Sequence, residues 1–393
     1  SKEPGMNLDS IILELGVIIV GAAFLGTIFL YARQPIIIAY IVIGILVGPN
    51  GFGLLKETAH IEEISHIGVI LLLFIIGLNL HPGRMINLFR KMLISTLVTS
   101  LLFAVISFIF ALSIGLSFQS ALIFGGALMF SSTVVGLKLI PTTALHHKHT
   151  GEVMTSMLLI QDMLAIVIIL LLTGEQSDHM LMTFGLLAGK FILLCILAFA
   201  GVKYLMVPLF RKFDVIQEYT FLATLAWCFL WAEGADLMGL SYELGAFVAG
   251  LSIASCSISI VIAEHLKPLR EFFLILFFFA VGAQLDFNLQ PLFLIAAIIF
   301  GLGIVPFKIF IFNFTFKKSG ETAELSSELA ARLGQSSEFS LLVAFSALSV
   351  GALSAEGAMM IQVATIVTFI VSTYWVVLKY PTPIAGNPKF RQD

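Results

Sequence analysis

Charged side chains are scarce in this chain of 393 residues, because aspartate, glutamate, lysine and arginine together make up only 11% of it. A typical soluble domain carries about 25%. Hydrophobic residues account for 59% of the chain, and the mean hydropathy is +1.05. These values indicate an integral membrane protein whose main surroundings are the lipid bilayer.

Signatures of several other protein classes are also absent. With a net charge of −3, no basic stripe, no zinc-finger spacing and no RNA-binding signature, the sequence predicts no nucleic-acid partner. No GxGxxG motif follows a strand, so no nucleotide-binding domain is indicated within this chain. The three cysteines, Cys195, Cys228 and Cys256, lie far apart, and we expect small core side chains rather than a disulfide or metal ligands.

The sequence does contain thirteen apolar segments with the length of membrane helices. They cover residues 11–32, 35–48, 62–80, 92–115, 119–139, 152–173, 181–211, 216–233, 240–257, 264–285, 290–316, 328–350 and 357–378. An odd number of crossings places the two termini on opposite sides of the membrane.

Basic residues orient these segments. Sixteen of the 21 lysines and arginines fall in loops on one side, whereas only Lys2 and Lys56 fall on the other. Basic loops stay in the cytoplasm, so we expect the N-terminus outside and the C-terminus inside, in the plasma or inner membrane. The tail from Tyr380 onward is polar and is predicted to be disordered.

One acid, Asp162, lies beside Gln161 in the middle of the sixth apolar segment. At about 1.5 Å per residue it is about 15 Å from either end of the segment, near the centre of the bilayer. A charge there costs about 2.5–3.5 kcal/mol, and such residues usually mark an ion or proton path. The alternative is an acid that is neutralised by a proton or a partner helix and serves only packing.

Polar interruptions in two other segments strengthen the transporter interpretation. The fifth segment is interrupted by Ser131, Ser132 and Thr133, and the twelfth by Gly334, Gln335, Ser336, Ser337 and Glu338. Broken membrane helices expose carbonyls and hydroxyls, which are suitable ligands for an alkali cation. The alternative is that the small residues only allow close helix packing.

The remaining three basic residues, Lys190, Lys308 and Arg332, lie within apolar segments. Lys308 is about 12 Å from the cytoplasmic end of its segment, too deep to reach the surface easily, so an internal role is predicted. Arg332 is nearer the cytoplasmic end, and its side chain is expected to extend to the membrane surface. In the loop that contains His146, His147 and His149, we favour solvated side chains over a metal site.

Six motifs in order resemble the monovalent cation:proton antiporter-2 family, and within it the Kef-type potassium efflux proteins. They are GILVGPNGFGL (44–54), LLLFIIGLNL (71–80), LIQDMLAI (159–166), LGAFVAGL (244–251), LFFFAVGAQLDF (276–287) and GQSSEFSLL (334–342). The resemblance covers residues 16–378. Asn79 stands where the family usually has an acid, and Gln161 with Asp162 matches the Kef-type pair.

The resemblance implies an all-α membrane protein with thirteen transmembrane helices, a sodium/proton-antiporter-like fold, two inverted six-helix repeats (segments 2–7 and 8–13) and two broken, crossing helices. It also implies a homodimer with an elevator-like transport domain. The expected boundaries are an extracellular tail at 1–10, scaffold and dimer helices at 11–91 and 216–289, transport-domain helices at 92–173 and 290–378, a linker helix at 174–215 and a cytoplasmic tail at 379–393.

The implied activity is exchange of K+, with Na+ as the alternative cation, for protons, with no cofactor bound by this chain and no enzymatic reaction. Asp162 would bind cation and proton in turn, together with Gln161, Ser131, Ser132 and Thr133. Supporting roles are expected for Lys308, Gln335, Ser336, Ser337, Glu338 and Arg332. Since Gln161 replaces the acid that pairs with the lysine in Asp-Asp relatives, the partner of Lys308 stays open.

Three alternatives remain at this point. One is a Na+/H+ antiporter. The second is a ligand-gated potassium channel, although no TVGYG-like filter occurs in the chain. The third is a membrane sensor that uses the fold without transport. Kef-type proteins also continue into a cytoplasmic regulatory nucleotide-binding domain, which this sequence does not contain.

Overall fold

The computed structural model describes residues 11–32, 34–56, 59–78, 82–140, 148–173, 180–213, 216–285, 290–349, 351–382 and 389. These residues form helices joined by short connections. In chain order the helices are α1 (Ile11–Tyr31), α2 (Ile36–Val47), α3 (Ala59–Leu78), α4 (Pro82–Ser113), α5 (Phe118–Leu128), α6 (Thr133–Lys138), α7 (Lys148–Thr173), α8 (Met180–Gly201), α9 (Val207–Phe213), α10 (Gln217–Leu237), α11 (Tyr242–Ile253), α12 (Ser259–Ala283), α13 (Pro291–Lys318), α14 (Ala323–Arg332), α15 (Glu338–Ser349) and α16 (Ala355–Lys379).

Every described helix overlaps one of the predicted apolar segments, while the count of thirteen membrane crossings and the two inverted repeats remain predictions. The fifth segment is divided into α5 and α6, and the twelfth into α14 and α15, so both predicted interruptions are observed. We call residues 129–132 the first interruption and residues 333–337 the second interruption. A π-helical turn, Val202–Met206, joins α8 to α9. Within the described residues, five helical stretches are long and apolar enough to cross a membrane: Ile11–Tyr31, Ile86–Ser113, Gly185–Phe213, Pro291–Lys318 and Ala355–Lys379.

Side-chain caps explain where several helices begin. The Ser132 hydroxyl accepts a hydrogen bond from the Val135 N–H at 3.0 Å and starts α6 directly after the first interruption. The hydroxyls of Thr322 and Ser354 cap α14 and α16 in the same way. Such caps satisfy N–H groups that have no partner within the helix, which matters most where water is excluded.

The helices pack most closely within two groups, which we call the α2 group (α1–α3 and α10–α12) and the α13 group (α4–α7 and α13–α16). Glycine allows the closest approaches: a Cβ on Gly44 of α2 would lie 2.1 Å from the Phe279 carbonyl oxygen of α12, and one on Gly301 of α13 would lie 2.7 Å from the Val367 Cβ of α16. The α8 helix packs against α10 and α11. The predicted boundary between scaffold and transport domains at residues 91 and 92 falls within α4, and the division into these domains remains a prediction.

Candidate ion-binding site

The two helix interruptions contact each other in the α13 group. The Ser131 hydroxyl donates to the Leu333 carbonyl at 2.7 Å, and the Gln335 side-chain amide donates to the Ser132 carbonyl at 3.2 Å. Ser340, in the first turn of α15, donates to the Ala127 carbonyl at 2.6 Å. The residues predicted from sequence as two separate polar interruptions therefore form one buried site.

Lys308 of α13 lies at the junction of the two interruptions. Its side chain is fully buried, and Nζ donates to the carbonyls of Phe130 at 2.7 Å and Gln335 at 3.0 Å. Nζ also lies 5.2 Å from the ring centre of Phe103. Carbonyls that follow a helix lack an intrahelical donor and carry partial negative charge. An ammonium group at this point therefore compensates both interruptions at once.

The described atoms give Lys308 two hydrogen-bond acceptors, both of them main-chain carbonyls. Within the described side chains no carboxylate contacts it. The prediction of an internal role for Lys308, rather than an extension to the membrane surface, agrees with this burial.

Gln161 places α7 against the first interruption. The Gln161 Oε1 accepts from the Ser131 N–H at 2.8 Å. Its Nε2 is buried and has no hydrogen-bond partner within the described part of the chain. Asp162 follows on the same helix, but its side chain lies outside the described residues, as does that of Glu338.

The remaining predicted ligands divide into bonded and unbonded hydroxyls. The Ser132 hydroxyl caps α6, and the Ser337 hydroxyl accepts from the Phe339 N–H at 3.1 Å in the first turn of α15. The buried hydroxyls of Thr133 and Ser336 have no partner among the described atoms. Because buried polar groups are nearly always hydrogen-bonded, the lack of a described partner distinguishes these two oxygens from the other hydroxyls of the site.

Arg332 corrects one prediction from the sequence. The side chain is fully buried and does not extend to the membrane surface. Its guanidinium donates to the carbonyls of Leu139 at 2.6 Å and Pro381 at 2.7 Å, and Nη2 lies 2.7 Å from Glu328 Oε1. Arg332 therefore joins the end of α6, the end of α14 and the chain that follows α16.

The contact with Pro381 also corrects the predicted disorder of the tail at its first residues. Tyr380, Pro381 and Thr382 are described and lie against the protein, and Thr382 is fully buried. A main-chain carbonyl held by a buried guanidinium has a fixed position. Residues 383–388 and 390–393 lie outside the described residues, so the prediction for the rest of the tail is untested.

The predicted histidine cluster has only one described member. His149 Nε2 lies 3.2 Å from Glu321 Oε2, and Lys91 Nζ lies 3.5 Å from Glu321 Oε1. His146 and His147 lie outside the described residues. Over the described ranges, no group of three or more His, Cys, Asp or Glu side chains could hold a metal ion, and all three cysteines are free.

Two residues that contact the second interruption were not predicted from the sequence. Thr368 and Ser372 of α16 both contact the second interruption, since the Ser336 N–H donates to the Thr368 hydroxyl and Ser372 donates to the Gln335 side chain. Single hydroxyls are inexpensive in a membrane helix and attract little attention. Their spacing of four residues, which places them on one helix face, was the available signal.

The chain is similar to known proteins over most of its length. A family model described as "Sodium/hydrogen exchanger, transmembrane" matches residues 15–379. The chain is 24% identical over 367 residues to the iron transporter MagA of Paramagnetospirillum magneticum, covering 91% of this chain and 83% of that protein. It is 29% identical over 352 residues to K(+) efflux antiporter 4 of Arabidopsis thaliana, covering 85% of this chain and 59% of the relative.

A further relative and a solved structure extend the comparison. K(+) efflux antiporter 6 of Arabidopsis thaliana is 32% identical over 301 residues, covering 72% of this chain and 49% of that protein. The chain thus spans about half the length of these plant relatives. The sodium proton antiporter MjNhaP1 from Methanocaldococcus jannaschii superposes with a TM-score of 0.69 at 17% identity, covering 94% of this chain and 96% of that one.

These findings confirm the predicted cation/proton antiporter family and the all-helical fold. Family and fold are those of multi-pass membrane transporters rather than enzymes. Because the family model spans nearly the whole sequence, the chain belongs to the sodium/hydrogen exchanger family.

Proposed function

We propose that the protein is a secondary-active antiporter that exchanges K+ for protons across the membrane. The observation that carries the proposal is the meeting of two helix interruptions at one buried lysine, with the first interruption bonded to Gln161, the residue that precedes Asp162 on α7. The names of the plant relatives support K+ as the cation. A Na+/H+ antiporter is the alternative within the same class.

In the proposed mechanism Asp162 binds a cation and a proton in turn, and each excludes the other. The Lys308 ammonium donates hydrogen bonds to two carbonyls, so its positive charge compensates the partial negative charges of the helix interruptions. That leaves Asp162 as the only carboxylate proposed to change protonation at the site. One cation would then replace one proton, which makes the exchange electroneutral.

Oxygen ligands for the cation would come from the same interruptions. The hydroxyls of Thr133 and Ser336 are buried and unbonded within the described structure, and Gln161 Oε1, which accepts one hydrogen bond from the Ser131 N–H, keeps a second lone pair. These few oxygens suit one dehydrated cation rather than the several successive ions of a channel. Ser131, Ser132, Gln335 and Ser337 would hold the interruptions in shape, and Glu338 would add an acid at the start of α15.

The two helix groups suggest how access alternates. The site lies wholly within the α13 group, whereas the α2 group contributes none of its described residues. We propose that the α13 group moves as the transport domain, that α8 and α9 form the linker, and that the α2 group forms the scaffold of a homodimer. Thirteen crossings, with the N-terminus outside, complete the proposed arrangement, and a regulatory nucleotide-binding domain is expected in longer Kef-type relatives.

The proposal is tested with purified protein in liposomes that contain a pH-sensitive dye. At zero membrane voltage, set with valinomycin and equal K+, an outward Na+ gradient tests Na+/H+ exchange. K+-driven proton movement is measured separately without valinomycin. The proposal predicts proton movement that saturates with K+. Because one relative is named an iron transporter, Fe(II) serves as a third test ion. If none of the three ions drives proton movement, the proposal is refuted.

The channel alternative gives a different result in planar bilayers. A carrier limited by its conformational steps gives no unitary currents, whereas an open pore gives discrete current steps. Unitary K+ currents, or K+ flux that leaves the proton gradient unchanged, would favour the channel. Cation binding without any flux would favour a sensor.

A further inference from the structure

Helix α16 carries a row of hydroxyl residues, two of which contact the second helix interruption. Thr365, Thr368 and Ser372 follow one another at intervals of three and four residues, which places them along one face of the helix. All three side chains are buried. Two of them contact the interruption, and neither belongs to the ion ligands proposed above.

Thr368 fixes the main chain of the interruption at Ser336. Its hydroxyl donates to the Thr365 carbonyl at 2.7 Å, so the hydroxyl has no second proton to donate and can only accept a further hydrogen bond. The oxygen then accepts from the Ser336 N–H at 2.9 Å. Ser336 lies between the end of α14 and the start of α15, where no helical carbonyl serves this N–H. The Thr368 hydroxyl replaces that missing acceptor.

Ser372 fixes the side chain of the preceding residue, Gln335. The Gln335 Nε2 lies 3.2 Å from the Ser132 carbonyl, which can only accept, so the amide nitrogen must face Ser132. The Gln335 Oε1 therefore faces Ser372, whose hydroxyl donates to it at 2.9 Å. The Gln335 main-chain carbonyl accepts from Lys308 at 3.0 Å.

We propose that Thr368 and Ser372 are positioning residues for ion exchange, because α16 uses them to hold the second interruption at two successive residues. Through Gln335 they set where one carbonyl partner of Lys308 lies and how the first interruption is contacted. Through the Ser336 N–H they set the position of the Ser336 hydroxyl, an unbonded oxygen of the site. The inference extends the proposed antiport function and rests on it.

The same helix also packs against α13, the helix that carries Lys308. Gly301 of α13 allows α16 to approach so closely that a Cβ there would lie 2.7 Å from the Val367 Cβ. Val367 directly precedes Thr368 in the chain. Both the lysine helix and the interruption are thus held against one short stretch of α16, which is why small changes there should reach the ion site.

The chain offers matched controls for this inference. The hydroxyls of Thr365 and Thr373 are buried on the same helix but have no hydrogen-bond partner in the described structure. Thr365→Val and Thr373→Val therefore remove a buried hydroxyl without disturbing the interruption. Thr368→Val and Ser372→Ala remove one that contacts it, and Thr368→Ser keeps the hydroxyl.

The experiment measures exchange by the full chain in liposomes as a function of cation concentration and pH. Loss of one hydrogen bond should raise the KM for the cation about three- to tenfold and shift the pH profile in Thr368→Val and Ser372→Ala. Thr368→Ser and both controls should match the parent. If the two test variants also match the parent, or differ only as much as the controls, the positioning role is refuted.

A second measurement does not depend on activity. Hydrogen–deuterium exchange of the peptide that contains residues 333–337 should become faster in Thr368→Val than in Thr365→Val, because the Ser336 N–H loses its acceptor. Unchanged protection would overturn the inference whatever the transport result. A parent that exchanges no cation for protons would refute the proposed function, while this measurement would still decide whether α16 holds the interruption.

Discussion

Replacing Arg332 by methionine removes four hydrogen bonds from the buried end of α14. The ion pair with Glu328 is largely shielded, since the arginine side chain is 0% exposed and the glutamate side chain 14%. Breaking a buried pair from one side costs about 3–5 kcal/mol. An arginine that extends to the membrane surface would contribute at most about 1 kcal/mol.

The burial of Arg332 therefore predicts a loss of about 3–5 kcal/mol of unfolding free energy in Arg332→Met. At roughly 2 °C per kcal/mol, the melting temperature should fall by about 6–10 °C. Thermal unfolding of the purified protein in detergent measures this change. Arg332→Lys should fall between parent and Arg332→Met, because an ammonium keeps the charge but cannot reproduce the planar fork that reaches Leu139, Pro381 and Glu328.

Lys267→Met is the matched control for this prediction. Lys267 pairs with Glu264 on α12, but the two side chains are 22% and 62% exposed. The loss there should stay below about 1 kcal/mol, or about 2 °C. If Arg332→Met unfolds within that range of the parent, the guanidinium does not hold the end of the broken helix and the account of Arg332 is wrong.

Three further predictions concern the site and its movement. Lys308→Gln should shift the pH profile of exchange or lower the melting temperature, since a neutral amide replaces the charge at two carbonyls; a parent-like variant in both assays would contradict this. Gln161→Glu should keep the bond to the Ser131 N–H and change cation preference or charge stoichiometry, measured by flux with and without valinomycin. If cation selectivity and charge stoichiometry are unaltered, residue 161 is not coupled to Asp162 in ion exchange. Tyr374→Phe removes a 2.6 Å hydrogen bond to Gln34, between the two helix groups. It should change the maximal exchange rate but not the cation KM, and an altered KM with an unchanged rate would argue against relative movement of the groups.

The sequence predicted the helices well because apolar segments in a membrane protein must form helices to satisfy their main-chain polar groups. The two interruptions were also predictable, since Ser132 and Ser337 can cap a helix in mid-segment. The contact between the interruptions rested on family resemblance rather than on any local pattern. The Gln161–Ser131 and Gln335–Ser132 bonds join residues far apart in the chain.

The predicted position of Arg332 was wrong because it was measured from the start of the apolar segment rather than from the start of the helix. The predicted segment began at residue 328, which placed Arg332 near its start. The helix in fact begins at Ala323, because Thr322 caps it and a polar first turn is tolerated there. Arg332 is thus the last residue of α14 and lies beside the interruption. Its other partners, Leu139 and Pro381, are brought to it only by tertiary packing.

The partners of Lys308 could not be predicted for a related reason. A buried lysine in an antiporter sequence suggests a carboxylate partner, and none stood at the expected position because Gln161 occupies it. Main-chain carbonyls are present at every residue and leave no trace in the sequence. Only the meeting of two helix interruptions makes the carbonyls of Phe130 and Gln335 available to one ammonium group.

The most direct test of the central claim is cation-driven proton flux in liposomes that contain Asp162→Asn, compared with the parent and with Asp236→Asn. Asp236 is an exposed acid at the end of α10, so the control makes the same chemical change away from the site. If Asp162 carries cation and proton in turn, the variant should fold normally and lose at least about tenfold of the flux, whereas the control keeps it. If Asp162→Asn keeps more than about half of the parent flux, the change in activation free energy is less than about 0.5 kcal/mol and the account is contradicted.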